Sequence, residues 1–218
     1  MDRETLENIQ IHFAEHKYVI IKKFISHDIA YLLYKYAITQ AQSAEFKKAN
    51  AKEKYCSEWD GRFDDPQSLG DYSRYGDPLM DTLLNESLQN VSMFTGVELV
   101  PTYSYWRLYE RGSVLERHKD RESCEISTTL CLGYNSNYNW PIWVENPNTK
   151  AEVQVDLEPG DMIIYRGCEI DHWRERYEGL NHAQVFLHYN DANGPFNTKH
   201  DGRQRLGIPF QYKTTLGG

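Results

Sequence analysis

Three side chains that commonly bind metals, placed in two separate segments, most constrain what this chain can fold into. His118 and Asp120 are separated by one residue, and His172 follows much later, after the run 160–165. Two imidazoles and one carboxylate form the facial triad that holds non-haem Fe(II) and leaves coordination positions open. The chain must therefore bring two distant segments to one point, and the pattern predicts an Fe(II) site there.

The spacing of His118 and Asp120 fits an extended segment. Alternate residues of a strand point to the same side, so both side chains can reach one ion. A glycine turn at Gly112 precedes them, and a second turn at Gly160 leads through a strand toward His172. A histidine and an aspartate two positions apart are common by chance, so the surrounding order of turns and strands is what favours a metal site.

Residues 1–96 have mainly helical patterns. Ser26 is a good N-cap for one helix, Asp77 followed by proline begins another, and Gly96 ends it. Helical spacing predicts that the first of these helices buries an apolar face formed by Ile29, Leu32, Leu33, Tyr36 and Ala37. The polar stretch 47–76 between them is predicted to be a loop, either a lid or binding segment or a surface insertion.

Residues 97–190 change to short strand-like runs that glycine, asparagine and proline separate. The predicted strands cover residues 102–109, 125–132, 141–145, 152–157, 162–165 and 182–189. Closely spaced short strands are typical of a sandwich or barrel. We therefore predict a single α+β domain over residues 1–218, in which helices support a β core and residues 191–218 form a C-terminal tail.

Composition disfavours some partners and compartments. The net charge of −8 makes nucleic acid an unfavoured partner, because its phosphate backbone demands a basic surface. No apolar run approaches the roughly 18 residues that a membrane span needs, and the N-terminus lacks the pattern of a signal peptide, so no membrane association and a cytoplasmic location are expected. The four cysteines show no CxxC spacing and are predicted to be reduced thiols.

In its order of residues the chain resembles the 2-oxoglutarate- and Fe(II)-dependent dioxygenases, especially the prolyl-4-hydroxylase-like branch. The resemblance rests on Tyr109, on the pair His118 and Asp120, and on the glycine–aspartate turn before the strand that leads to His172. It covers roughly residues 100–190. It implies a double-stranded β-helix of the jelly-roll or cupin-like type, with His118, Asp120 and His172 as iron ligands and catalytic residues.

Two later histidines, His182 and His188, are further candidates for the third ligand. Alternation puts His182, Gln184, Phe186 and His188 on the more polar face of one strand, as the wall of a pocket would be. A structural role is favoured for His188, and His182 and Gln184 are predicted to contact the cosubstrate. His172 is the preferred third ligand because it follows the glycine–aspartate turn at the separation that the resemblance implies.

The predicted contacts to the cosubstrate depart from the family's pattern. The family usually pairs the far carboxylate of 2-oxoglutarate with an arginine or lysine shortly after the second histidine, where this chain has Asn181 and His182. Tyr109 matches the family's cosubstrate-binding tyrosine, and Arg107 shares its face of the strand and offers a substitute cation. Pairing of Arg107 with an acidic neighbour is the alternative, and Arg166 is a second candidate cation.

The resemblance implies an enzyme that uses Fe(II), 2-oxoglutarate and O2, with ascorbate as an optional addition. Such an enzyme hydroxylates a C–H bond and releases succinate and CO2. The substrate would be a peptide, with a prolyl residue favoured, or a small molecule. The alternative is a cupin-like module that binds a metal or ligand without turnover. Nucleic-acid demethylation on the same scaffold is disfavoured by the acidic composition.

Overall fold

Ten strands form two antiparallel sheets in the computed structural model, which describes residues 2–50 and 53–210. The strands are β1 (Tyr18–Ile21), β2 (Tyr72–Tyr75), β3 (Leu99–Glu110), β4 (Leu115–His118), β5 (Ile126–Asn135), β6 (Ile142–Glu145), β7 (Glu152–Val155), β8 (Met162–Arg166), β9 (His172–Arg174) and β10 (Asn181–Asp191). The larger sheet has the order β1-β8-β5-β10-β3-β2, and the smaller sheet has the order β4-β9-β6-β7.

Four α-helices accompany the sheets within the described residues. They are α1 (Arg3–His16), α2 (His27–Ala49), α3 (Ser57–Asp60) and α4 (Pro78–Thr95). The side chains of Ser26 and Asp77 cap α2 and α4 as predicted, by accepting hydrogen bonds from backbone amides of the first turn. Gly96 ends α4 in the left-handed region at φ 70°, where a residue without a Cβ is unstrained.

Alternation along the strands separates a side that faces the helices from a side that faces the smaller sheet. On β10, Val185 and Leu187 belong to the apolar core under the helices, whereas Phe186 between them packs with aromatic residues on the other side. The two sheets meet in a further apolar cluster that contains Tyr165 of β8 and Ile142 of β6. Polar residues on the inward side are therefore enclosed between two sheets.

Helix α2 buries a face that only partly matches the predicted one, since Leu33 and Ala37 are buried as predicted. Ile29 and Leu32 are 48% and 67% exposed, so this part of the prediction is wrong. The buried face is formed by Ala30, Leu33, Tyr34, Ala37, Ala41 and Ala44. A helix in a folded protein takes the orientation that its tertiary packing favours, and a stripe of alanines lets α2 lie close to the sheet.

The prediction of one loop over residues 47–76 is also wrong. Helix α2 continues to Ala49, α3 follows, and β2 adds an edge strand to the larger sheet. Residues 51 and 52 lie outside the described residues. Residues 61–71, called the 61–71 segment below, contain no helix or regular strand, although Arg62 forms an isolated bridge with Ser73.

The tail after β10 is fixed to α4 by a buried ion pair. Arg203 Nη1 donates to Asp81 Oδ2 at 2.9 Å, and both side chains are buried. The remaining donors of Arg203 reach the backbone carbonyls of Thr102, His200 and Ile208. The predicted tail is thus described as far as residue 210, and residues 211–218 lie outside the described part of the chain.

Within residues 2–50 and 53–210, no helix combines the length and the apolar character that crossing a membrane requires. The four cysteines are free thiols, and Cys124 and Cys131 are buried.

Candidate metal centre

His118, Asp120 and His172 converge between β4 and β9. His118 ends β4, and His172 begins β9, which pairs with β4 so that the two histidines lie opposite each other. Asp120 Oδ1 lies 3.7 Å from His118 Nε2 and 3.6 Å from His172 Nε2. The three ligand atoms lie within 4.8 Å of one another, which is close enough for them to share one ion.

Backbone carbonyls orient both imidazole rings. His118 Nδ1 lies 2.7 Å from the carbonyl oxygen of Glu116, and His172 Nδ1 lies 3.3 Å from that of Ile170. A proton on each Nδ1 leaves the Nε2 lone pair directed at the site, as is usual for histidines that bind metals. Burial lowers the pKa of His172 below its usual value, although Asp120 opposes the effect, and this ring is therefore neutral near pH 7.

Asp120 is held by Ser127 and by the turn at Gly167. Ser127 Oγ donates to Asp120 Oδ2 at 2.6 Å, and the Asp120 amide donates to the Gly167 carbonyl at 2.9 Å. A Cβ at position 167 would collide with the Asp120 carboxylate, so only glycine fits there. Burial raises the pKa of Asp120, but the charge of nearby imidazoles, His172 first, and the Ser127 hydrogen bond bring the pKa below its usual value.

Replacing Ser127 with alanine is expected to weaken Fe(II) binding about 10- to 100-fold, because loss of a hydrogen bond that orients a ligand typically has this effect. Anaerobic titration with Fe(II) measures the change. Ser113→Ala is the matched control, since its hydroxyl bonds Asp71 rather than a triad residue. Equal affinity in the wild type and Ser127→Ala would mean that Asp120 does not depend on this contact.

The other candidate histidines occupy different places. His182 is buried on β10 and does not group with the triad residues. His188 groups with Asp120 and Cys124, but burial raises the pKa of the Cys124 thiol well above its usual value, and the metal-binding form of cysteine is the thiolate. His188 Nδ1 lies 3.0 Å from Ser127 Oγ. The geometry therefore favours His172 as the third ligand.

A cavity of about 770 Å³ opens beside the triad. Its wall includes Tyr103, Tyr105 and Arg107 on the inward side of β3, and the 61–71 segment contributes Asp65 and Gln67. The volume lies within the usual range for a small-molecule site.

Arg107 and Arg166, the predicted cations, both have acidic partners. Arg107 Nη2 donates to Asp65 Oδ2 at 2.5 Å, and its Nη1 donates to Tyr109 Oη at 3.0 Å. Arg166 Nη1 lies 3.2 Å from Glu169 Oε1, and Arg166 does not line the cavity. The alternative interpretation of Arg107, pairing with an acidic neighbour, therefore matches the contacts observed.

Arg174 is a buried cation without an acidic partner in the described part of the chain. It lies two residues after His172 on the same side of β9 and is 1% exposed. Its Nη1 donates to the carbonyl of Trp140, whereas Nε and Nη2 have no hydrogen-bond partner among the described residues. Burial lowers its pKa to about 10, against smaller opposing effects of Tyr109 and other neighbours. A buried guanidinium of this kind calls for an anion.

Further unpaired polar atoms lie close to Arg174. Gln184 Nε2 lies 2.8 Å from His182 Nε2, while His182 Nδ1 and Gln184 Oε1 have no partner among the described residues. The positive charge of Arg174 acts on His182, and the ring of Tyr134 stacks on His182 at 5.3 Å. Buried polar atoms are normally paired, so this cluster has the character of a binding site for a polar ligand.

The free protein is expected to lose stability below about pH 6.5 in a way that depends on His182. Burial and the charge of Arg174 lower the pKa of His182 well below 6.5, so the unfolded chain takes up a proton that the folded chain does not. The free energy of unfolding must then decrease as the pH falls through this range. Urea unfolding at pH 7 and pH 5 should show a smaller decrease for His182→Gln than for the wild type. Equal decreases would contradict the buried neutral state.

Sequence reasoning missed Arg174, Ser127 and Asp65. A signal existed for Arg174, because the alternation that pairs His118 with Asp120 also places Arg174 on the same side as His172. No signal marked Ser127 or Asp65, since each acts through a partner that the fold brings near.

Comparisons with known proteins bear on the fold. No family model and no curated protein matches this sequence. Among solved structures, a Pseudomonas putida prolyl-4-hydroxylase has a TM-score of 0.61 at 18% identity, covering 85% of this chain and 100% of that chain. EctD from S. alaskensis with bound Fe has a TM-score of 0.65 at 16% identity, covering 96% and 87%. The non-haem alpha-ketoglutarate-dependent epimerase SnoN from nogalamycin biosynthesis has a TM-score of 0.64 at 14% identity, covering 95% and 96%.

The chain therefore has the double-stranded β-helix fold of the 2-oxoglutarate- and Fe(II)-dependent oxygenases, and the predicted fold class is confirmed. The named reactions of these neighbours differ, so the fold alone selects neither a substrate nor a product.

Proposed function

We propose that this protein is an Fe(II)- and 2-oxoglutarate-dependent dioxygenase, most simply a hydroxylase. The observation that carries the proposal is the unpaired Arg174 guanidinium, which lies on the same short strand as His172. The strand thus holds a candidate metal ligand and, two residues later on the same side, a cation for a carboxylate. The donor set of two imidazoles and one carboxylate suits Fe(II), and the unpaired guanidinium suits 2-oxoglutarate.

Each proposed site residue has one task. His118, Asp120 and His172 hold the iron, and Asp120 offsets part of its charge. Arg174 binds the far carboxylate of 2-oxoglutarate, and the neighbouring Tyr109, His182 and Gln184 supply further polar contacts. When bound, the iron and 2-oxoglutarate supply the oxidation of a C–H bond by O2, with release of succinate and CO2.

The protein itself contributes orientation and exclusion of water. The carbonyls of Glu116 and Ile170 keep the two Nε2 atoms directed at the metal, and Ser127 fixes the Asp120 carboxylate. Buried aromatic side chains, among them Tyr109 and Trp140, pack around Arg174 and His182. Fixed ligands in an enclosed site limit side reactions with solvent.

The substrate is a small molecule or a peptide. The name of the P. putida neighbour, a prolyl-4-hydroxylase, makes a prolyl residue one candidate for this chain. The alternative function is a cupin-like module that binds metal or ligand without turnover. The unpaired Arg174 favours the dioxygenase, because a metal site alone leaves that buried charge without a counter-ion.

The experiment is an anaerobic titration of the protein with Fe(II) and 2-oxoglutarate, followed by exposure to air. A visible charge-transfer band that needs both additions, and iron-dependent succinate formation in air, with and without ascorbate, are expected. Oxaloacetate, which has one methylene fewer, is the control cosubstrate. Binding of metal with neither a band nor succinate would favour the non-catalytic module.

A further inference from the structure

The Arg107 guanidinium occupies a fixed position on the cavity wall. It is 1% exposed, and the rings of Tyr105 and Tyr109 lie beside it at 5.5 and 5.3 Å. All three residues belong to β3, which pairs with β10 and with the edge strand β2 in the larger sheet. Side chains of its own strand therefore help to hold the guanidinium, with the Tyr109 hydroxyl 3.0 Å from Nη1.

The counter-ion of Arg107 comes from an irregular part of the chain. Asp65 belongs to the 61–71 segment and accepts hydrogen bonds through Oδ2 from Arg107 Nη2 and Tyr105 Oη. Gln67 of the same segment makes a longer contact with Arg107, at 3.4 Å. Arg107 and Tyr105 thus donate together to one carboxylate group, which here belongs to Asp65. These two donors are called the Arg107–Tyr105 cradle below.

The cradle is incompletely filled. Arg107 Nε is buried and has no hydrogen-bond partner among the described residues, so Asp65 engages one nitrogen of a fork that can bind a carboxylate with two. Arg203, the other buried arginine paired with an aspartate, contrasts with it. All of its nitrogens have partners, and its aspartate lies in helix α4. Arg203 is a structural connection, whereas Arg107 lines the cavity and keeps one buried donor without a partner among the described residues.

We propose that the Arg107–Tyr105 cradle binds a carboxylate of the substrate, and that Asp65 occupies its place until the substrate enters. The substrate class is then a small carboxylic acid, not an internal residue of a peptide. This inference rests on the proposed function, because it places the acid in the cavity that His118, Asp120 and His172 line.

The cavity wall carries more basic than acidic side chains. Within the described residues it contains five arginine or lysine side chains and three carboxylates, and Arg62, Arg74 and Arg121 pair with aspartates outside the wall. One of the three carboxylates is Asp120, which a metal would neutralise. A bound divalent cation would therefore favour an anion in this cavity.

The test uses the protein with Fe(II) and saturating 2-oxoglutarate under anaerobic conditions, so that the cosubstrate site is filled. The probes are the twenty free L-amino acids and benzoate, each paired with its primary amide. Binding is measured by calorimetry and by the change in the charge-transfer band. At least one free acid is expected to bind about tenfold or more tightly than its amide, a difference equal to 1.4 kcal/mol.

Variants connect this preference to the cradle. Arg107→Met should abolish the preference for the acid while Fe(II) and 2-oxoglutarate still bind. Asp65→Asn should bind the acid more tightly, because the Asp65 carboxylate no longer competes for Arg107. Tyr105→Phe leaves the ion pair between Arg107 and Asp65 in place, so it should weaken binding of the acid less than Arg107→Met does. Arg62→Met is the control, since Arg62 lines the same cavity and pairs with Asp64. Thermal melts check that each variant is folded.

The inference is overturned if no acid of the set binds, if acids and amides bind equally, or if Arg107→Met keeps the preference. Failure of the proposed function would look different, because the wild type would then show no charge-transfer band with Fe(II) and 2-oxoglutarate alone.

Discussion

Asp120→Ala is expected to abolish iron-dependent succinate formation and to leave a folded protein. Asp120 is the anionic member of the triad, and its Oδ1 lies within 3.7 Å of both Nε2 atoms. Loss of a residue that merely orients a ligand costs about 10- to 100-fold in metal affinity, so loss of the ligand itself should cost more than about 100-fold. Anaerobic Fe(II) titration and a succinate assay measure the two effects.

The fold should tolerate this change because the described partners of the carboxylate are mainly Ser127 and the two imidazoles of the triad. Asp64→Ala is a suitable control, since Asp64 is exposed and pairs only with Arg62 in the contacts described. Asp120→Asn separates charge from shape, and it should also bind iron poorly. Full turnover in Asp120→Ala would show that Asp120 is not an iron ligand in this protein.

Arg174→Met should change two properties in opposite directions. The dissociation constant for 2-oxoglutarate should rise roughly 100-fold, because removing one partner of a buried charge pair costs about 2–5 kcal/mol. The free energy of unfolding without ligand should rise by about 1–2 kcal/mol, because an apolar side chain of similar length replaces a buried, unpaired charge. Calorimetry with 2-oxoglutarate and urea unfolding measure the two changes.

Arg107→Met serves as the comparison for Arg174→Met. It removes an arginine whose partner is Asp65, so it should lower stability and leave binding of 2-oxoglutarate nearly unchanged. The reverse result, with 2-oxoglutarate binding lost only in Arg107→Met, would return the anchoring role to Arg107. Lower stability of Arg174→Met without ligand would mean that the guanidinium has a counter-ion within the chain.

The sequence was sufficient for features that depend on a few neighbouring residues. The caps at Ser26 and Asp77, the end of α4 at Gly96, and the common side of His118 and Asp120 follow from local geometry. The strands were predicted within a few residues where they are long enough to alternate.

Features that depend on distant contacts were missed or wrong. The exposed Ile29 and Leu32 show that a helix with apolar residues on several sides does not reveal which side meets the sheet. Strand β9 has only three residues, so alternation places Arg174 on the side of His172 but does not reveal that its charge lacks a partner among the described residues. Pairing of Arg107 with Asp65 joins positions 42 residues apart, which no periodicity could indicate.

The short strand β9 also fixes the distance between His172 and Arg174 along the backbone. Its first and last residues are the proposed metal ligand and the proposed anchor, and their Cα atoms in an extended strand are separated by about 6.6 Å. Any slip of β9 would move both groups together, so mobility of the surrounding loops cannot alter the gap between them. An oxo-diacid with one methylene more or fewer would then reach either the metal or Arg174 but not both. The spacing within β9 would therefore select the chain length of the cosubstrate.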